Sequence, residues 1–155
     1  LKAGAFRPFG VEMRFGEDGD AVILAGMGGE TMVSILSAAL WTRRGVLLIL
    51  APQTKQAELR RYLTGNGFAI DSECLVRDGG RLYPLLTARG GEGRALTDGE
   101  LYTGQFSLIS EDPLFGEYLA ALLRRAEDAA PYDPSAQKRA EEFRDMERRL
   151  GKCPR

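Results

Sequence analysis

Hydrophobic residues along this chain recur with the period of a strand in its first part and with the period of a helix toward its end. From Gly10 to Gly16, apolar Val11, Met13 and Phe15 alternate with polar Glu12 and Arg14, which predicts a half-buried strand. A turn follows at Glu17-Asp18-Gly19. Ala21 to Ala25 is a continuous apolar run, suited to a strand buried on both faces of a parallel sheet, and it ends in Gly26-Met27-Gly28-Gly29. From Glu30 the positions Met32, Val33, Ile35, Leu36 and Leu40 take up helical spacing. Val46 to Leu50 predicts a second buried strand, stopped by Pro52. Residues 54–65 predict a helix with Ala57, Leu59, Tyr62 and Leu63 facing inward and Gly65-Asn66-Gly67 as its stop. Phe68 to Val76 and Arg81 to Ala88, joined by a turn at Asp78-Gly79-Gly80, predict a β-hairpin.

Strands alternating with helices predict an α/β fold with a doubly wound sheet and right-handed crossovers. Ending such a sheet in an antiparallel hairpin is unusual and narrows the choice. A glycine-rich break at 90–93 precedes a segment, 96–110, whose pattern specifies no element. Asp112-Pro113 and Asp133-Pro134 then each supply the cap and first-turn residues that open a helix. Leu114, Phe115, Tyr118, Leu119, Leu122, Leu123 and Ala126 line one face of the first. Ala136, Ala140, Phe143, Met146 and Leu150 line the second. Two amphipathic helices joined by a short loop predict a coiled-coil-like helical hairpin. The expected division is therefore a sheet part, 1–95, and a linker with helical hairpin, 96–155.

Composition removes several function classes. A chain of 155 residues buries one core with a small appendage. No apolar run approaches the roughly 20 residues of a membrane span, and no basic-then-apolar leader is visible, so no membrane partner is expected. A net charge of -1 argues against holding nucleic acid by bulk electrostatics, though not against local basic patches. There is no histidine, which removes the commonest general base and zinc ligand. Cys74 and Cys153 lie in different segments and make no metal-type pair; they read as two thiols of a cytoplasmic protein. The chain begins at Leu1 rather than methionine, and a fragment is the favoured reading.

The stretch Asp20 to Gly29 resembles the corresponding segment of the TrmK-type bacterial tRNA methyltransferases, which modify N1 of the adenine at position 22. The likeness continues through Leu48 to Gln53, Leu59-Arg60, Leu63 and Asn66-Gly67. It resumes at Asp78 to Tyr83 and at Asp112 to Phe115. Each motif alone is weak, because glycine-rich turns after strands are common; their order and spacing carry the resemblance.

The resemblance implies an incomplete class I, Rossmann-like methyltransferase sheet followed by a helical hairpin, with S-adenosyl-L-methionine as cofactor and tRNA as partner. The family domain opens with a strand and a glycine-rich loop that holds the cofactor, and neither occurs here. Counted against the family, this chain starts at the third strand, so the chain alone is expected to be inactive. A sheet without its first strands exposes an apolar edge and face, and self-association is then expected.

The same resemblance implies site residues. Ala25, Gly26, Met27, Gly28 and Gly29 would line the junction of methyl donor and target adenine, with Gly26 and Gly28 nearest the chemistry; the competing reading is a tight start to the following helix. Asp18 would accept a hydrogen bond from the cofactor's adenine, where a plain solvated turn is the alternative. Pro52 and Gln53 would meet the target base, although the family more often has Pro-Asn there. Pro84 stands where the family usually has an acid, and its missing N–H predicts an edge or bulge. Trp41 with Arg43-Arg44 reads as a helix end with a partly buried aromatic rather than an RNA contact. Arg124-Arg125, Lys138-Arg139, Arg144, Arg148-Arg149 and Lys152 are interleaved with acids, as on a solvated face. In the family this hairpin faces RNA. Two rival readings are a non-catalytic RNA-binding remnant and a nucleotide-binding oxidoreductase. The second lacks the Gly-x-Gly-x-x-Gly fingerprint.

Overall fold

The computed structural model describes residues 21–151. The strand expected at 10–16, the turn at 17–19 with Asp18, and Lys152 and Cys153 lie outside the described residues.

Strand β1 (Ala21–Met27) and strand β2 (Leu47–Pro52) pair in parallel, as the crossover through helix α1 (Gly29–Ala38) requires. A 3-10 turn at Leu40–Arg43 follows α1, with Trp41 half-buried against the core and the Arg43 guanidinium 5.8 Å above the Phe68 ring. This is the helix-end role expected of that group. Helix α2 (Gln56–Gly65) leads into β3 (Phe68–Asp78) and β4 (Arg81–Gly90). Gly79 and Gly80 join these two strands with φ of 53° and 75°, the two positive values that a tight hairpin turn demands. The sheet order is β1-β2-β4-β3, with β4 antiparallel to both neighbours.

Val22, Leu24, Leu48, Leu50, Leu86 and Ala88 face α1 and α2, which contribute Met32, Ile35, Leu36, Leu59 and Leu63 to one core. Burial of each large side chain there stabilises by about 1.5–3 kcal/mol. The other face is different. Ile23 is 64% exposed, and Ala21 and Ala25 are exposed with it. The continuous apolar run of β1 predicted burial on both faces. Both helices pack on one face, however, so among the described residues the strand is covered on one side only.

Segment 96–110, which specified no element in sequence, contains two short helices, α3 (Asp98–Thr103) and α4 (Phe106–Ile109). Local hydrogen bonding explains α3. Thr97 Oγ1 accepts from Glu100 N, and the Glu100 carboxylate accepts from Thr97 N, a capping box. Arg94 and the Phe106 amide also donate to Glu100. Burial pushes the Glu100 carboxyl up, but these donors outweigh it and hold the group below its ordinary value of 4.5. The folded value lies below the unfolded one, so this stabilisation is complete above about pH 4.5 and is lost as the pH falls through the lower folded value. We expect Glu100→Gln to cost about 1–3 kcal/mol near neutral pH and to flatten the acid limb of the thermal midpoint. Identical acid limbs for parent and variant would show that Glu100 makes no such contribution.

Helices α5 (Phe115–Ala129) and α6 (Pro134–Leu150) form the hairpin, joined across the pair by Arg144 Nη2 to Glu127 Oε1 at 2.6 Å. Asp133 caps α6 by accepting from Ser135 N at 2.9 Å, as its sequence predicts. Asp112 does not stand directly before α5 in the same way. The helix starts at Phe115, and the Asp112 carboxylate accepts from Leu114 N and, across the fold, from Leu75 N, each at 2.8 Å. One carboxylate oxygen thus makes the local bond that Asp133 also makes, and the other takes a tertiary donor on β3. A second core forms from Leu75, Ile109, Phe115, Leu119, Leu123, Ala140, Phe143 and Met146, so β3 belongs to both halves of the fold. Among the described residues no helix is long and apolar enough to cross a membrane.

Candidate functional site

The carboxyl ends of β1 and β2 lie side by side, where ligands of open α/β sheets bind. Pairing runs Ala25 with Ala51 and then Met27 with Pro52, so Gly26 is skipped. Such a bulge bends the strand and leaves one residue out of the ladder. Gly26 has φ of 74°, a conformation that glycine adopts without steric cost, and nothing lies within 4 Å of where a side chain would begin.

A second irregularity faces it. Pairing of β2 with β4 stops at Leu50–Leu86. Continued in register, it would set Pro52 against Pro84, and neither has an N–H to donate. The expectation that Pro84 sits at an edge holds locally: β4 is an inner strand, but its pairing to β2 has ended two residues before Pro84, which is buried.

The two irregularities border one cavity of about 210 Å³. Gly26, Ala51 and Gln53 line it from the parallel strands, and Val76, Asp78, Tyr83, Pro84 and Leu85 from the hairpin. Pockets for drug-sized ligands occupy roughly 300–1,000 Å³; this one is smaller and half-open, with room for a single ring system. Its wall is apolar on Ala51, Val76, Pro84 and Leu85. Gln53 offers an amide, Asp78 a carboxylate and Tyr83 a ring with a hydroxyl.

Of the residues singled out in sequence, the cavity unites Gly26 and Gln53. Ala25 is exposed beside it, and Met27 is half-buried against the sheet core with its carbonyl accepting from Gln53 N at 3.0 Å. Pro52 is buried at the end of β2. Gly28 and Gly29 sit at the start of α1. Gly28 O accepts from Met32 N at 3.2 Å, and Gly29 N donates to Thr54 O at 2.7 Å, which docks the loop after β2 onto the helix start. The tight-helix role suggested for these glycines is therefore present.

Tyr83, Asp78, Val76 and Leu85 were not among the residues assigned to the site. Asp78 to Tyr83 carried part of the family resemblance but read locally as a turn and a strand. Only the antiparallel register brings them to the parallel strand ends. Among the described residues no group of three His, Cys, Asp or Glu is arranged to hold a metal ion.

The methyltransferase domain family matches residues 9–86. The tRNA (adenine(22)-N(1))-methyltransferase of Bacillus subtilis is 32% identical over 91 residues, 58% of this chain and 38% of its own length. The chain thus spans about two fifths of that curated relative. In fold it resembles a candidate tRNA (m1A22) methyltransferase of Streptococcus pneumoniae solved with S-adenosyl-L-methionine. The TM-score is 0.70 at 24% identity, covering 83% of this chain and 60% of that one. It also resembles M. capricolum TrmK solved with S-adenosyl-homocysteine, with a TM-score of 0.65, 16% identity and coverage of 85% and 60%. The likeness to the TrmK-type enzymes read from the motifs is borne out, as is the mixed α/β fold.

Proposed function

The chain belongs to the methyltransferase domain family, and from that premise we propose that its protein methylates N1 of an adenine in tRNA, at position 22, with S-adenosyl-L-methionine as donor. One observation supports this most directly. A bulged glycine with open space at its α-carbon borders a ring-sized cavity that also presents Gln53, Asp78 and Tyr83.

S-adenosyl-L-methionine supplies a methyl group on a sulfonium, already activated for transfer. The backbone of Ala25, Gly26 and Met27 fits the approach of that group, because a residue without a side chain at Gly26 leaves its peptide accessible. Asp18, on the family resemblance, would hold the cofactor's adenine. Gly28 and Gly29 serve by fixing the start of α1 against the Thr54 loop, which keeps the neighbouring Gln53 in place. Adenine N1 has a free lone pair at neutral pH, so no residue has to remove a proton before attack, and the absence of histidine is no obstacle. The protein's task is to orient the base. Tyr83 stacks on the ring, Gln53 reads its edge, and the Asp78 carboxylate accepts a hydrogen bond from the exocyclic amine. The natural setting of such a protein is the cytoplasm, where tRNA is found.

The test is methyl transfer from labelled donor to an unmodified tRNA transcript by the protein in its natural length, with the product mapped by reverse-transcription stops. Transfer to an adenine N1 supports the reading. Salt-sensitive tRNA binding without transfer would replace it with an RNA-binding module. Within the active protein, Tyr83→Ala is expected to remove about 1–3 kcal/mol of base stacking, roughly a ten- to hundredfold loss in kcat/KM, and Tyr83→Phe to retain most of it. Equal activity of Tyr83→Ala and parent would remove Tyr83 from the site.

A further inference from the structure

Among the described residues, the ion pair between Arg60 on α2 and Glu73 on β3 is the one whose two side chains are both fully buried. Arg60 Nε and Nη2 donate to Glu73 Oε2 at 3.1 and 2.7 Å. The rest of the pair's hydrogen-bonding capacity goes to the entrance of the helical part. Arg60 Nη1 donates to the carbonyls of Leu101 and Tyr102, at 2.9 and 3.3 Å, in the last turn of α3. Glu73 Oε1 accepts from Gln105 N at 3.0 Å, just past Gly104. Gly104 has φ of 100°, and a side chain there would run into the Glu73 carboxylate. From this junction the Tyr102 carbonyl also accepts from the Tyr118 hydroxyl of α5 at 3.4 Å, and Gly99 N donates to Glu142 of α6 at 2.7 Å.

A buried ion pair is a weak source of net stability, because desolvating two charges offsets much of their attraction; its best attested use is to fix one geometry. A guanidinium suits that use, since its planar fork bonds well only when every partner is in place. Here the partners belong to the sheet on one side and to the chain entering the hairpin on the other. We propose that Arg60 and Glu73 are positioning residues, a latch that sets the angle of the α5–α6 hairpin to the sheet so that a tRNA bound across the two parts presents its adenine to the cavity at Gly26 and Tyr83. This rests on the methyltransferase reading above. Leu75, Asp112 and the Arg77–Glu117 pair anchor β3 to the hairpin independently, so loss of the latch loosens the angle and does not detach the hairpin.

The test places spin labels at exposed Ser34 and Gln137, each changed to Cys, with Cys74→Ser and Cys153→Ser, and reads their distance distribution. Arg60→Met with Glu73→Leu removes both charges while filling the space. We expect the parent to give one narrow distribution and the double variant a shifted or broader one. In the same proteins, affinity for an unmodified tRNA transcript is expected to fall by about tenfold or more in the double variant, because two contact regions no longer engage together. Should the double variant fail to show a cooperative melt, Arg60→Lys, which keeps the charge but not the fork, takes its place. A folded, unlatched variant with the parent distribution overturns the latch. A changed distribution with unchanged tRNA affinity overturns its role in delivering RNA. If the parent itself binds no tRNA, the tRNA-methylation reading falls, while the distances still decide the latch.

Discussion

Replacing Arg60 alone with methionine is expected to lower the stability of the chain by about 3–5 kcal/mol. Arg60 and Glu73 have no exposed side-chain surface, so the substitution leaves a carboxylate buried without its counter-charge. The carbonyls of Leu101 and Tyr102 also lose their shared donor. The reverse change, Glu73→Leu, leaves the guanidinium buried and is expected to cost a similar amount. Changing both together removes the uncompensated charge, and the double variant is expected to recover part of the loss, while the Leu101 carbonyl and the Gln105 amide remain without their side-chain partners. The two single changes are therefore strongly non-additive, as contacting residues are. Urea unfolding of the four proteins measures this directly. A double variant whose loss equals the sum of the singles would mean that the pair is not coupled.

A second large effect is expected at Gly29, on activity more than on stability. An alanine there would place its methyl group onto the Lys55 carbonyl oxygen, with the carbonyl carbon at 2.9 Å and Thr54 O at 3.1 Å. These are backbone atoms and do not swing aside. Lys55 is already held at a positive φ of 57°, unusual for a residue with a side chain. The loop 53–55 has to move away from α1 and takes Gln53 with it. Overpacking of this kind costs about 1–3 kcal/mol. A displacement near 1 Å at a positioning group costs on the order of a hundredfold in rate. We therefore expect Gly29→Ala to reduce methyl transfer by about that factor while the protein still folds. Gly26→Ala is the control for stability, since nothing lies within 4 Å of its α-carbon substituent and only the left-handed backbone, about 1–2 kcal/mol, is strained. Full transfer by Gly29→Ala would show that the loop at Thr54 does not position the base-reading side chain.

Much of the fold is legible along the chain because it depends on short-range physics. Val22 and Leu24, or Ala136, Ala140 and Phe143, recur with the period of their own element, and that period follows from backbone geometry. The hairpin turn at Gly79-Gly80 and the Asp133 cap are equally local. The resemblance to the TrmK-type enzymes rested on ordered motifs, and Gly26 and Gln53 of those motifs do border one cavity. What local reading missed has a common cause. Helices α3 and α4 are held by Glu100 and by contacts to other elements, not by a long amphipathic repeat. Asp112 carries a cap residue's chemistry, but a donor on β3 shares its carboxylate. Ile23 sits in an apolar run that looks buried, yet its exposure depends on which face α1 and α2 occupy.

Period, turn chemistry and strand–helix alternation act within a few residues, so β1 to β4, α1, α2, α5 and α6, their order and the glycine turn at the strand ends are written in the local sequence. Tertiary structure alone decided that Tyr83 and Asp78 share a cavity with Gly26, and that Arg60 closes on Glu73 and the end of α3. The first follows from antiparallel register, which carries β4 back beside β2 until Pro52 and Pro84 end the ladder. The second follows from burial, where two charges far apart along the chain are stable only once they meet.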